Sequence, residues 1–362
     1  MNPIYKKTTI VLLLIGSLAG CDGEGTLLEL YPWQPIVNPE IRTLIQDNRI
    51  IHAQFVGRNH ISGITANGNF ETPDQFKSFD FEPFAWQEEG LLDFGADLIV
   101  RAVPDKSSIS LIYSRDNGRT WNRYGHPIVD EGGLALGKIS PVKLVVGAER
   151  LMWLLCQQGT GAESRLLLYR VNLAGGTHET LLRRRNALAV TAAAFDGQRG
   201  WVLWKNPLID SDSVHLLKTI DGGSTWSEGA TLENISDPLF CVIDDGDLLV
   251  FGQAGAAFHS ADGGATFQSV VTGMGPIQRC QAATADVIYV LSVDGRLGKS
   301  VDGGFTWDVL GAQAGNTQVS GSKMYFQNEQ RGIVYDIDRM FITEDGGEHW
   351  EVLIYPYNYV FE

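Results

Sequence analysis

Short apolar runs recur along the chain, each bounded by polar or glycine-containing text: Leu98–Val103, Leu151–Cys156, Trp201–Trp204, Leu248–Phe251 and Val287–Leu291. At four to six residues they are too short for helices, and their lack of alternation predicts strands buried on both faces. Two consecutive stretches show the plan around such runs. Strands are expected over Cys241–Ile243, Asp247–Gln253, Ala256–Ser260 and Thr266–Val271, and again over Ile277–Ala283, Val287–Val293, Leu297–Ser300 and Phe305–Leu310. Each unit therefore reads as strands a, b, c and d, with the apolar run as b. No stretch carries the sustained 3.6-residue period of a long helix.

Between strands c and d the same octapeptide returns. Its anchors, written as acid, glycine and aromatic, are Asp116, Gly118, Trp121; Asp221, Gly223, Trp226; Asp262, Gly264, Phe267; Asp302, Gly304, Trp307; and Asp345, Gly347, Trp350. A Ser or Thr stands two residues before each Asp. The carboxylate can accept backbone N–H groups just downstream and close a turn. The glycine supplies positive φ, and the aromatic opens the outgoing strand with a large apolar face. This local device is a hairpin clasp. Two worn copies, Thr65–Phe70 and Tyr169–Gly176, put Asn where the acid is expected. Asp221, Asp262, Asp302 and Asp345 are 41, 40 and 43 residues apart, and Asp116 to Asp221 spans 105, room for two units. Seven units of this period predict an all-β fold, a single seven-bladed propeller of four-stranded antiparallel blades.

The octapeptide resembles the Asp-box, or bacterial neuraminidase repeat, of sialidases, sortilin-type receptors, xyloglucan hydrolases and photosystem II assembly factors. The text Asp-Gly-Gly-x-Thr-Trp is most similar to that of the assembly factors. The resemblance implies scaffold, because in these families the box lies away from the active sites of the enzymes that carry it.

The N-terminus reads differently. Lys6 and Lys7 precede a nine-residue apolar stretch, Ile10–Leu18, too short to span a bilayer. It ends in Leu18-Ala19-Gly20-Cys21, which resembles a bacterial lipobox. That resemblance implies a signal peptide over 1–20, an acylated Cys21, a tether through residue 26 and a propeller over 27–362. Asp22 resembles the signal for inner-membrane retention. Leu27–Tyr31 is strand-like and is expected to complete the last blade. The formal charge of −15 becomes −17 once Lys6 and Lys7 are removed. Such a surface disfavours nucleic acid and suits a basic or membrane-associated protein partner. Cys156, Cys241 and Cys280 would then lie in an oxidising compartment. Cys241 and Cys280, 39 residues apart, fall at equivalent positions of adjacent blades; a disulfide is open there, but buried thiols are the expectation.

Loops opposite the clasps are longest early in the chain: Phe76–Gly90, Val103–Ser108, Tyr124–Ser140, Gln157–Ser164 and Lys205–Ser213. Recognition is expected on that face. Phe79, Phe81, Phe84 and Trp86, with Glu88 and Glu89, form an aromatic and acidic cluster over the second blade. Arg183, Arg184 and Arg185 are a basic cluster leading into strand a of the fourth blade, either gripping a carboxylate or pairing with neighbouring acids.

Catalytic text is weaker. Sialidases carry an arginine in a Phe/Tyr-Arg-Ile-Pro motif; Val100-Arg101-Ala102-Val103-Pro104 has one residue too many and no aromatic, so no catalytic residue is assigned. Glu88, Glu89, Asp237 and Arg279 could line the channel of a glycosidase, but a xyloglucanase-type cleft usually needs two propellers. Gly132–Ile139 lacks the Ser/Thr of a phosphate-binding loop. The histidines show no metal-ligand spacing, so neither metal nor cofactor is expected. The expected function is a non-catalytic, membrane-anchored monomer on the periplasmic side that binds another protein, as an assembly or stability factor or an immunity-type inhibitor. The competing reading is a carbohydrate-active propeller, either hydrolase or lectin.

Overall fold

A computed structural model describes residues 50–354 apart from short stretches, the longest being 84–89, 130–138, 147–150, 209–212 and 311–322, and apart from the side chains of 192–195 and 352–354. Every regular element among the described residues is a strand. The first blade comprises β1 (Ile50–Phe55), β2 (Ile61–Thr65), β3 (Gly68–Thr72) and β4 (Asp80–Pro83). The second comprises β5 (Leu91–Phe94), β6 (Ile99–Pro104), β7 (Ser108–Ser114), β8 (Asn122–Arg123) and β9 (Ile128–Val129). There β8 and β9 pair with the two ends of β7 and form one interrupted strand d. The third is β10 (Ile139–Val146), β11 (Leu151–Gln158), β12 (Arg165–Asn172) and β13 (Thr177–Arg185). The fourth is β14 (Leu188–Phe195), β15 (Arg199–Lys205), β16 (Val214–Thr219) and β17 (Ser227–Leu232). The fifth is β18 (Leu239–Val242), β19 (Leu248–Phe251), β20 (Ala257–Ser260) and β21 (Gln268–Val270). The sixth is β22 (Ile277–Ala282), β23 (Ile288–Ser292), β24 (Leu297–Ser300) and β25 (Asp308–Val309). The seventh is β26 (Lys323–Phe326), β27 (Gly332–Tyr335), β28 (Met340–Thr343) and β29 (Glu351–Ile354). The chain is the expected seven-bladed propeller.

The core lies between blades. Along β15, Val202 and Trp204 pack toward the third blade, while Trp201 and Leu203 pack toward the fifth. Both faces of a b strand are thus buried, which is why its sequence is an unbroken apolar run. Equivalent clusters fill the second–third, fifth–sixth, sixth–seventh and seventh–first seams.

One expectation changes here. Cys241 on β18 and Cys280 on β22 are joined as a disulfide, with Cα atoms 6.0 Å apart, rather than remaining thiols. The inner strands of adjacent blades converge at equivalent heights, and that separation is ordinary for a cystine. Cys156 is free and buried. Leu27–Tyr31, expected to complete the last blade, lies outside the described residues. The last blade draws four strands from its own sequence. Side chains span its seam with the first blade. Tyr335 Oη accepts the Ala53 N–H at 3.0 Å. Lys323 Nζ donates to the Ile50 and Ile51 carbonyls. The Arg331 guanidinium lies 4.1 Å from the Phe55 ring centre.

Candidate functional site

The clasps form as the residues dictate. In the sixth blade, Asp302 Oδ1 accepts the Ser300 hydroxyl at 2.8 Å and the Phe305 and Thr306 N–H groups at 3.1 and 2.9 Å. Its Oδ2 accepts the Thr306 hydroxyl at 2.6 Å. Ser300 Oγ accepts the buried Gly304 N–H at 2.8 Å, and Trp307 Nε1 donates to the Gly304 carbonyl at 2.9 Å. The clasps of Asp116, Asp221 and Asp262 repeat the acid's bonds from the Ser or Thr hydroxyls and the Thr amide, and Trp121, Trp226 and Trp350 repeat the indole bond. Phe267 has no N–H and only packs, against the fourth–fifth seam. Hydrogen bonds from Thr225 and Thr266 pull the Asp221 and Asp262 carboxyls down to about 2. The glycine is also an inter-blade contact. Gly223 has φ 92°, and a Cβ there would stand 2.6 Å from Leu181 Cδ1 of the preceding blade. Each clasp therefore closes its own hairpin and seats it on its neighbour.

One clasp escapes a sequence reading. Thr65–Phe70 falls on the β2–β3 turn, which is b–c and lies on the opposite face, so it is not a clasp equivalent. The first blade's c–d connection is Thr72-Pro73-Asp74-Gln75-Phe76-Lys77-Ser78-Phe79. Asp74 accepts the Ser78 N–H and hydroxyl, both at 2.7 Å, and the Thr72 hydroxyl at 3.4 Å. Phe76 stands in the glycine's place, and Gln75 takes a φ of 56°. The Thr-x-Asp…Ser-Phe frame was the available signal, and Asp74 to Asp116 is 42 residues, one regular interval. The third blade has a tight turn at the expected place, with Asn172 Oδ1 accepting the Gly175 N–H at 2.8 Å. Tyr124, buried in the second–third seam, closes the space beside it, its hydroxyl 3.3 Å from His178 Nδ1.

Antiparallel order puts a–b and c–d turns on one face and b–c and d–a connections on the other. The connections 104–108, 158–165 and 205–214 are b–c and lie on the expected face. Of the aromatic cluster, only Phe81 is among the described residues. It lies on β4, the outer strand of the first blade, where it pairs with Phe70 and packs half-buried on the seventh–first seam. Phe79 falls at the aromatic position of the first clasp in sequence; it, Phe84, Trp86, Glu88 and Glu89 lie outside the described residues, as does Asp237. The arginines form the end of β13, the outer strand of the third blade, which leads into β14, strand a of the fourth. Arg184 lies 3.7 Å over the Trp204 ring and pairs with Glu228 at 2.8 Å, while Arg183 and Arg185 are exposed. Arg101 is on strand b, as the spacing implies.

In the channel wall, His52 stacks on Phe94 with ring centres 3.6 Å apart, and burial holds its imidazole near 4. Lys323 is drawn down to about 8, first by burial and then by Arg279. Burial raises the Asp93 carboxyl, which accepts the Val146 N–H at 2.9 Å. These groups are tied to backbone or stacked. A cavity of about 420 Å³ lies at the clasp end of the third blade, lined by Leu151, Arg170, Asn172, Thr177, His178 and Glu179. Arg170 is held by Glu179 at 2.6 Å and by the Gly222 carbonyl at 2.9 Å. In the seventh clasp His349 replaces the usual Thr, its Nδ1 2.7 Å from Asp345 Oδ2, and with Glu348 it brings three donor groups within 4.8 Å of one another. All of these lie at or near the surface.

A model of the BNR/Asp-box repeat matches residues 112–123, the second-blade clasp. Among solved structures, the fold is similar to YCF48 from Cyanidioschyzon merolae, with a TM-score of 0.54 at 16% identity over 82% of this chain and 95% of that one. It is similar to a structure described as YCF48 bound to D1 peptide, with a TM-score of 0.52 at 14% identity over 83% and 91%. It is also similar to the polysaccharide lyase Uly1, with a TM-score of 0.53 at 10% identity over 84% and 89%. No curated protein sequence matches the chain.

Proposed function

We propose that this protein is a non-catalytic propeller of the bacterial envelope, acylated at Cys21, that holds another protein. The observation that carries the reading is the outer strand of the third blade. β13 is a nine-residue edge with exposed Arg183 and Arg185, and between them Arg184 is fixed by Trp204 and Glu228. In a chain of charge −15, an ordered cationic edge suits an acidic segment of a partner. A propeller of similar fold has been seen with a peptide, which supports binding as the use of the ring. The cystine supports an oxidising compartment, in line with the lipobox text. The clasps support scaffolding: their acids are consumed by their own turns.

The test is affinity purification of the full chain from membranes, beside Arg183→Glu/Arg185→Glu. One stoichiometric protein, lost with the double variant, is expected. Sugar release from a glycan panel, abolished by Glu88→Gln or Glu89→Gln, would replace this reading with the carbohydrate-active one. For the anchor, Cys21→Ser should abolish labelling by a fatty-acid probe, and continued labelling would remove the acylation claim.

A further inference from the structure

The seam between the fifth and sixth blades contains a side chain that scaffolding leaves unexplained. His259 sits on β20, one residue before the clasp serine Ser260, and is 1% exposed. Among the described residues, neither ring nitrogen has a hydrogen-bond partner. Buried polar groups are rarely left so, because the lost hydration goes uncompensated. Among the described residues, the charged groups that act on the ring are two acids, from two elements packed against it. Asp247 precedes β19 in the same blade, and Asp302 is the clasp carboxylate of the next. Phe305, from that next clasp, covers the imidazole edge-on with ring centres 4.2 Å apart and is itself 46% exposed. At the position before the clasp Ser or Thr, the other blades with this octapeptide carry Tyr113, Lys218, Lys299 and Ile342. Only the fifth blade places there a group that titrates near neutrality.

We propose that His259 is a proton-operated latch: neutral, it stays buried under Phe305 and the outer seam is shut; protonated, it turns toward Asp247 or water, displaces Phe305 and loosens the sixth clasp. The direction follows from the environment. Burial lowers the imidazole's proton affinity, and Asp247 and Asp302 only partly restore it. A histidine depressed in the closed form favours closure above its free value, near 6.5, and that advantage is lost as pH falls below it. The Asp247 carboxyl, raised by its own burial and by Asp244, acts on the imidazole more strongly than Asp302 does. Asp302 is lowered by its clasp hydrogen bonds against a desolvation that opposes them, so it stays charged throughout this range. The Cys241–Cys280 bond crosses the same seam at the inner strands and confines opening to the clasp side.

The experiment is amide hydrogen exchange of the whole oxidised protein between about pH 7.5 and about pH 5.5, corrected for intrinsic rates. Opening of the Ser300–Trp307 segment should rise, by at most about tenfold, the limit set by a pH about one unit below the free imidazole value. The Thr219–Trp226 clasp, which follows Lys218 rather than a histidine, should not change. His259→Gln should abolish the slope. Equal behaviour of the two clasps, or a slope that survives in His259→Gln, would overturn the proposal. If the variant does not fold, the comparison of clasps within the wild type decides alone.

Discussion

Replacing Ser300 by Ala should cost more than replacing Asp302 by Asn, although the acid makes more hydrogen bonds. Asp302 accepts four bonds at 2.6–3.1 Å, from the Ser300 and Thr306 hydroxyls and the Phe305 and Thr306 amides. Asn keeps an acceptor oxygen toward Ser300 and the amides, and the Thr306 hydroxyl can turn to accept from its NH₂. Phe305 and Thr306 are exposed, so water replaces what is weakened. The expected loss for Asp302→Asn is about 1 kcal/mol or less. Ser300 is buried, and its oxygen accepts the N–H of buried Gly304 at 2.8 Å. Alanine leaves that N–H unpaired where no water reaches it, at about 1–3 kcal/mol. The loss of its hydroxyl bond to the carboxylate places Ser300→Ala at the upper part of that range. Urea unfolding followed by tryptophan fluorescence measures both, with unchanged m-values. A loss for Asp302→Asn equal to or greater than that for Ser300→Ala would refute the claim that the clasp acts through its buried serine.

The Asp221 and Asp262 carboxyls are held down to about 2 by their threonine hydrogen bonds, against about 3.9 in unfolded chains. Their contribution is therefore complete above about pH 4 and lost as pH falls toward about 2; near-ultraviolet dichroism should decay in that window, and less so in Asp262→Asn. Reducing Cys241–Cys280, or replacing both by Ala, should cost about 3–4 kcal/mol for a cross-link spanning 39 residues, and unchanged unfolding under reductant would deny the bond.

The propeller was legible because its evidence is local. A clasp is eight residues whose Ser or Thr, Asp, Gly and aromatic each answer a demand of the turn, and an interior b strand has no polar face to write. Legibility failed where the demand was met by other residues. At the first clasp Gln75 supplies the positive φ and Phe76 stands where glycine is expected, so the Asn67-Gly68 turn nearby resembles the octapeptide more than the true clasp does. The third blade's short turn lets β13 begin at Thr177 and run nine residues, so Arg183–Arg185 end strand d just ahead of β14, a placement the cluster's text alone does not give. Cysteine spacing established equivalent heights for Cys241 and Cys280. It could not give the 6.0 Å approach of two inner strands, which depends on how neighbouring blades pack.

The central claim is a ring closed between its seventh and first blades by side chains. The Ala53 amide tests it most directly, because its N–H crosses that seam to the buried hydroxyl of Tyr335 at 3.0 Å. Hydrogen exchange at Ala53 should be strongly protected in the wild type and faster in Tyr335→Phe. An Ala53 amide that exchanges like an unpaired edge, indifferent to Tyr335, would mean that the ring is open.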